Sequence, residues 1–169
     1  MKLSAWRIVK AKRAASGFTG EGARRAGGRW NSPGIPIVYT ASTASLAMLE
    51  MLVHIESQDL LNRYVLFEVS FDEALVETVK VKELPRTWRK SPTPAAIRQV
   101  GDEWAGEQRS VVLRVPSVVV PTEWNYLLNP AHPEFAKIAI GPRKAVKFDP
   151  RLIKPPSAST TRPPAHADA

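Results

Sequence analysis

The sequence predicts an α+β fold, and three observations carry that prediction. Segments rich in β-branched and aromatic residues outnumber segments with helical patterning. The two kinds do not alternate regularly, as they would in a doubly wound sheet. The chain has 169 residues, 44% of them hydrophobic, which suits one domain with its own core.

Taken in order, Trp6 to Val9 reads as a short strand and Ser16 to Gly34 as a loop. The loop holds Gly17, Gly20, Gly22, Gly27 and Gly28 before Gly34, and loops this long inside a domain are commonly functional. Ile35 to Thr40 reads as a strand. Ser42 is placed to N-cap a helix running to about Ser57. Val65, Phe67, Val69 and Phe71 alternate, so Tyr64 to Phe71 reads as a strand, with another at Val76 to Val81. Pro94 to Gln108 reads as a second helix. Val111 to Val120 is β-branched and interrupted by Pro116, which predicts two strands with a bend or an edge. Lys137 to Ile140 and Ala145 to Phe148 are expected to close a hairpin across Gly141 and Pro142. Residues 1–153 form the expected domain. The stretch 154–169, with four prolines and little apolar bulk, is expected to be a disordered tail.

Composition excludes several classes. No run approaches the roughly 18–20 apolar residues that span a bilayer. The absence of cysteine removes disulfides and thiolate chemistry. His54, His132 and His166 offer no zinc-finger spacing, and no metal is expected. The formal charge of +8 asks for an anionic partner without naming it. Residues 1–29 carry eight basic side chains against Glu21 alone. A secretory signal needs an apolar stretch after its basic start, and Ala11 to Gly28 is small and polar, so a cytoplasmic protein is expected.

The helix beginning near Ser42 is apolar almost all round, which predicts burial. One sector differs: Ser57, Glu50, Thr43 and His54 fall within about 60° of one another. A carboxylate there must be paired, hydrogen-bonded or facing a wet cleft. Arg29 sits in Gly27-Gly28-Arg29-Trp30-Asn31-Ser32-Pro33-Gly34. Glycines let backbone approach a ligand, and a guanidinium binds phosphate oxygens bidentately. The segment is neither a Walker motif nor a strand-to-helix GxGxxG. Tyr39 could offer an aromatic face to a planar heterocycle, or simply belong to the core.

Six segments occur in order: Gly27-Gly28-Arg29-Trp30-Asn31, Pro36 to Ala41, Ser45 to Glu50, Val115-Pro116-Ser117, Leu128 to Pro133, and Phe148 to Leu152. Together they resemble the RES domain, the toxin half of bacterial RES–Xre toxin–antitoxin pairs, over roughly Trp6 to Leu152. The resemblance implies an ADP-ribosyltransferase-like fold, a compact β core with flanking helices. It implies cleavage of the nicotinamide–ribose bond of NAD⁺ without a further cofactor, or, in some relatives, transfer of ADP-ribose to a protein. The family's eponymous Arg, Glu and Ser fall on Arg29, Glu50 and Ser117. Tyr39 matches its aromatic position and Asn129 its Asn-Pro motif. The expected partner is a cognate Xre-type antitoxin, which would supply any DNA contact in the toxin's place.

That chemistry suits the residues. Nicotinamide departs as a neutral molecule, so no general acid is needed, and the transition state resembles an oxocarbenium ion. Glu50 would stabilise that cation and hold a ribose hydroxyl. Arg29 would bind phosphate, Tyr39 would stack on the nicotinamide, and Ser117 and Asn129 would contact substrate. A serine nucleophile needs a positioned base, and no catalytic role is assigned to His54. Water, inorganic phosphate or a protein side chain could each be the acceptor, and a homodimer stays open. The competing class is a basic binding module built on Lys12, Arg13, Arg24, Arg25, Trp6 and Trp30. It lacks any recognition helix or RNA-binding signature.

Overall fold

The computed structural model describes residues 1–53 and 63–152. Its strands are β1 (Lys2–Lys10), β2 (Val38–Ala41), β3 (Tyr64–Asp72), β4 (Val76–Thr78), β5 (Val112–Pro116), β6 (Trp124–Leu128), β7 (Ala139–Ile140) and β8 (Lys144–Ala145). They form one sheet in the order β4-β5-β6-β2-β1-β3-β7, with β8 also pairing β3. The β4–β5 pair is parallel; the other pairs are antiparallel. The helices are α1 (Glu21–Ala26), α2 (Ala44–Leu52) and α3 (Ala95–Gly106). This is the expected α+β architecture.

Register decides which side chains meet. Trp6 stands opposite Ala41, Tyr39 opposite Leu127, and Asn125 opposite both Ala41 and Val115. Residues directly opposite one another share a face, and alternation along each strand extends the set. One face therefore carries Trp6, Ile8, Tyr39, Ala41, Leu113, Val115, Asn125 and Leu127. At one end α2 packs on it, with Leu46 and Ala47 against Ile8, Ala41 and Tyr64. At the other end α3 packs on it, with Ile97 and Trp104 against Leu113, Val115 and Leu127. The opposite face buries Ala5, Val38, Val69, Phe71, Val112, Tyr126 and Leu128 beneath Phe18, Leu75 and Phe135. Burying a side chain such as Leu46 contributes about 1.5–3 kcal/mol.

Several expectations need correction. Thr43, not Ser42, caps α2: its Oγ1 accepts from Leu46 N at 3.0 Å, a cap worth about 1 kcal/mol. Nor is α2 buried all round, since Leu49 and Val53 are exposed. The helix covers only one end of the sheet, and among the described residues its outer side has no layer above it. The glycine-rich stretch contains α1 rather than being loop throughout. The segment after Pro116 is a turn, not a second strand, because Ser117 accepts from the N–H groups of Val119 and Val120. Its β-branched residues obey the local hydrogen bond, and the chain returns as β6, to which the sequence reading assigns no strand. β7 and β8 do not form a hairpin with each other; each pairs with β3. Their adjacency to the long, regular β3 supplies the ladder that a two-residue strand cannot provide alone. His54, Ser57 and the 154–169 stretch lie outside the described residues.

Candidate active site

Candidate side chains come from four segments near the sheet face on which α2 and α3 pack. Glu50, half-buried on α2, turns one carboxylate oxygen toward the sheet. Its Oε1 accepts from Ser117 Oγ at 2.8 Å and from Asn125 Nδ2 at 2.8 Å. Among the described residues Oε2 accepts no hydrogen bond. The carboxylate is thus held through one oxygen by Ser117 and Asn125.

Ser117 is fully buried and its hydroxyl is saturated. It donates to Glu50 and accepts from Val119 N at 3.1 Å and Val120 N at 3.0 Å. A hydroxyl has one proton and two lone pairs, so this arrangement leaves no capacity for a ligand. The substrate contact expected of Ser117 therefore gives way to a hold on Glu50.

Arg29 enters from the glycine-rich segment. Its Nη1 donates to the carbonyls of Trp88 at 3.0 Å and Lys90 at 3.1 Å. Nε and Nη2 have no partner among the described residues, which leaves donors for an anion. Burial pulls the guanidinium below its ordinary value, while the charge of the nearby Glu50 carboxylate opposes that shift. Arg29 and Glu50 are therefore electrostatically coupled without forming an ion pair.

The loop bearing Arg29 is clamped. Tyr39 Oη donates to Asn31 Oδ1 at 2.7 Å and accepts from Trp30 N at 3.0 Å. Asn31 Nδ2 in turn reaches the carbonyls of Ala23, Ser32 and Ile35. Burial raises the Tyr39 phenol well above its ordinary range, so it stays neutral in both roles. A Cβ on Gly28 would fall 2.4 Å from that hydroxyl, and one on Gly101 of α3 would fall 1.8 Å from the Trp30 carbonyl. Asp102 completes the clamp by accepting from Ser32 N at 2.8 Å. Tyr39 is thereby fixed on the site's floor, with its hydroxyl committed to the loop.

Asn129 is not brought to the site. It is buried, its Nδ2 bonds the Ala105 carbonyl at 3.1 Å, and its Oδ1 accepts from Ala131 N at 3.0 Å. It lies just past β6, four residues beyond Asn125, or about 13 Å along an extended chain. Its place is to tie the end of α3 to the 129–132 turn.

Two residues escaped the sequence reading. Asn125 holds Glu50, and its signal was only the alternation of a strand not anticipated. Arg7 donates from Nε to the Gly17 carbonyl at 2.7 Å and from Nη1 to the Tyr39 carbonyl at 2.6 Å. Burial draws its guanidinium down to about 10. Shallow concavities lined by Phe71, Leu75 and Lys137, and by Glu68, Gly141 and Lys144, lie at the β3–β7 edge, away from Glu50. They gather no comparable set of reactive groups. Among the described residues no three His, Cys, Asp or Glu could share a metal ion, and no helix is long and apolar enough to cross a membrane.

Residues 4–149 match the RES domain family. The chain belongs to that family. It is 41% identical over 148 residues to the toxin Res of Yersinia enterocolitica, covering 87% of this chain and 97% of that protein. It is also 41% identical over 160 residues to the Prs ADP-ribosylating toxin of a Sphingobium species, covering 91% of this chain and 99% of the other. The solved M. tuberculosis MbcT–MbcA toxin–antitoxin complex contains a chain of the same fold, with TM-score 0.71 and 19% identity. The match covers 86% of this chain and 85% of that one. In this RES domain, Ser117 bonds Glu50, and the Glu50 charge reaches Arg29.

Proposed function

We propose that the protein is the toxin of a toxin–antitoxin pair and that it cleaves the nicotinamide–ribose bond of NAD⁺. The observation that carries this reading is the Glu50 carboxylate, pinned through one oxygen by Ser117 and Asn125, its other oxygen accepting no hydrogen bond among the described residues. Such a group is preorganised for positive charge developing at a sugar carbon, where fixed electrostatics contributes most to rate. Family membership and the relatives' names as toxins support the same reading.

The proposed steps follow from the charges. The free donors of Arg29 bind the pyrophosphate, and the nicotinamide ring rests against Tyr39. The bond from C1″ to the pyridinium nitrogen breaks with its electron pair going to nitrogen, releasing neutral nicotinamide. The resulting oxocarbenium-like cation is stabilised by Glu50. An acceptor oxygen then bonds to C1″ and loses its proton to solvent, giving ADP-ribose from water or ADP-ribose 1″-phosphate from inorganic phosphate. Ser117 orients Glu50 rather than attacking, for its proton and lone pairs are all engaged. NAD⁺ is the substrate, and the scheme calls on no metal. A cytoplasmic site of action follows from that substrate.

A second acceptor has its own support: the 41% identical Sphingobium relative is named an ADP-ribosylating toxin. On that reading the same cation is captured by a protein side chain. The partner, by likeness to a toxin–antitoxin complex, is an antitoxin that neutralises the site. Mass spectrometry after incubation with NAD⁺, with and without phosphate and with cell extract, tests the proposal. ADP-ribose, its 1″-phosphate or an ADP-ribosylated protein identifies the acceptor. Unchanged NAD⁺ under all three conditions overturns the reading.

A further inference from the structure

Asn125 carries an anomaly that its role toward Glu50 does not explain. Its Nδ2 donates to Glu50 Oε1, while its Oδ1 is buried with no hydrogen-bond partner among the described residues. Exchanging the two amide atoms would set an oxygen against the carboxylate oxygen, so the orientation is dictated by charge. The orphaned oxygen is then the amide's other corner, beside the carboxylate. A buried acceptor left unmade costs about 1–3 kcal/mol, and such groups in folded proteins call for an explanation.

Joined by that hydrogen bond, Asn125 and Glu50 hold two neighbouring acceptors with no donor among the described residues: the buried carbonyl oxygen of one and Oε2 of the other. Neighbouring acceptors without intervening donors match a ligand carrying two neighbouring hydroxyl donors. The vicinal 2″ and 3″ hydroxyls of a ribose are such a pair. On the proposed NAD⁺ reading, on which this inference rests, that sugar is the one whose C1″ must lie against Glu50. Neither Arg29, a donor, nor the saturated Ser117 can serve those protons.

We infer that Asn125 acts through both ends of its amide. The nitrogen positions Glu50, and the carbonyl oxygen accepts a hydrogen bond from a hydroxyl of the nicotinamide-side ribose. The ligand class is a β-ribofuranoside with a free vicinal diol. Binding satisfies the orphaned oxygen, so that part of recognition is drawn from a cost already present in the free protein. A site built to hydrogen-bond a hydroxyl discriminates against the analogue that lacks it.

The test compares kcat/KM for NAD⁺ with that for its 2″-deoxy and 3″-deoxy analogues, in the wild type and in Asn125→Ala. In the wild type, deleting the hydroxyl that meets Asn125 costs about tenfold beyond its intrinsic effect, and in Asn125→Ala that extra cost disappears. Equal analogue-to-NAD⁺ ratios in the two proteins, for both analogues, overturn the inference, because a residue that only positions Glu50 slows all three substrates alike. Asn125→Asp serves if Asn125→Ala does not fold: its oxygen keeps the acceptor but opposes Glu50, so overall rate falls while the analogue discrimination persists. If the wild type releases no nicotinamide, the catalytic proposal fails by itself. Calorimetric titration with ADP-ribose then reads Asn125 alone: weaker binding to folded Asn125→Ala supports the contact, and equal binding or none to the wild type overturns it.

Discussion

Ser117 Oγ stands 2.8 Å from Glu50 Oε1 and donates its one hydroxyl proton to it, beside the proton from Asn125 Nδ2. The serine's lone pairs are tied to the backbone of the turn that follows β5, so this hydroxyl and the Asn125 amide of β6 together reference the helix residue to the sheet. Replacing Ser117 by Ala removes a hydrogen bond to a charged group, worth about 1.5–3 kcal/mol. The expected result is a fall in kcat of about 10–100-fold with KM for NAD⁺ little changed. A rise in KM at constant kcat would instead mark Ser117 as a ground-state substrate contact.

Arg29→Lys keeps the charge and loses the fork. Lysine cannot both bond the carbonyls of Trp88 and Lys90 and present parallel N–H groups to a pyrophosphate. The expected outcome is a KM for NAD⁺ raised about tenfold or more, read from initial rates. An unaltered KM would mean that the free Nε and Nη2 donors are not used.

Gly101→Ala places a methyl 1.8 Å from the Trp30 carbonyl oxygen. Since that oxygen belongs to backbone, α3 or the Arg29 loop must shift. Overpacking of this kind costs about 1–3 kcal/mol and sometimes more. Chemical denaturation should show the loss, and NAD⁺ cleavage should fall with it because Arg29 is displaced. A variant of wild-type stability and activity would show that the loop does not depend on α3.

Tyr39 makes a prediction about alkaline pH. Burial raises its phenol above the ordinary value near 10, so the folded protein retains a proton that the unfolded chain releases first. Its contribution to stability is therefore complete below about pH 10 and declines as pH rises above that. Tyr39→Phe leaves Asn31 Oδ1 and Trp30 N–H without their partner and should be about 1–3 kcal/mol less stable at neutral pH. That gap should narrow above pH 10 in urea titrations. A gap independent of pH would contradict a buried, neutral phenol.

The α+β class was legible because alternation marks β3, an apolar run behind a Ser/Thr cap marks α2, and a proline-led segment marks α3. Arg29 and Glu50 were legible for chemical reasons: a guanidinium among glycines and a carboxylate on an apolar helix both need explaining. What escaped was what tertiary contact alone decides. The two-residue strands β7 and β8 owe their state to β3, and no local pattern could separate that from a hairpin. Ser117 and Asn129 were marked as substrate contacts, but their partners (a carboxylate for one, the Ala105 carbonyl for the other) lie 67 and 24 residues away. Arg7 and Asn125 were invisible because a polar residue within a strand carries no sign of which long-range carbonyl or carboxylate it will meet.

The central claim is that Glu50 makes this RES domain an NAD⁺-cleaving enzyme. Nicotinamide release from NAD⁺ by purified wild type and by Glu50→Gln, each shown to be folded, tests it most directly. Glutamine keeps the size of the side chain and removes the charge that faces the cation. The account predicts nicotinamide from the wild type and at least about a hundredfold slower release from Glu50→Gln, a loss of about 2.7 kcal/mol in transition-state stabilisation. Equal rates from the two proteins, or no nicotinamide from the wild type, would contradict it.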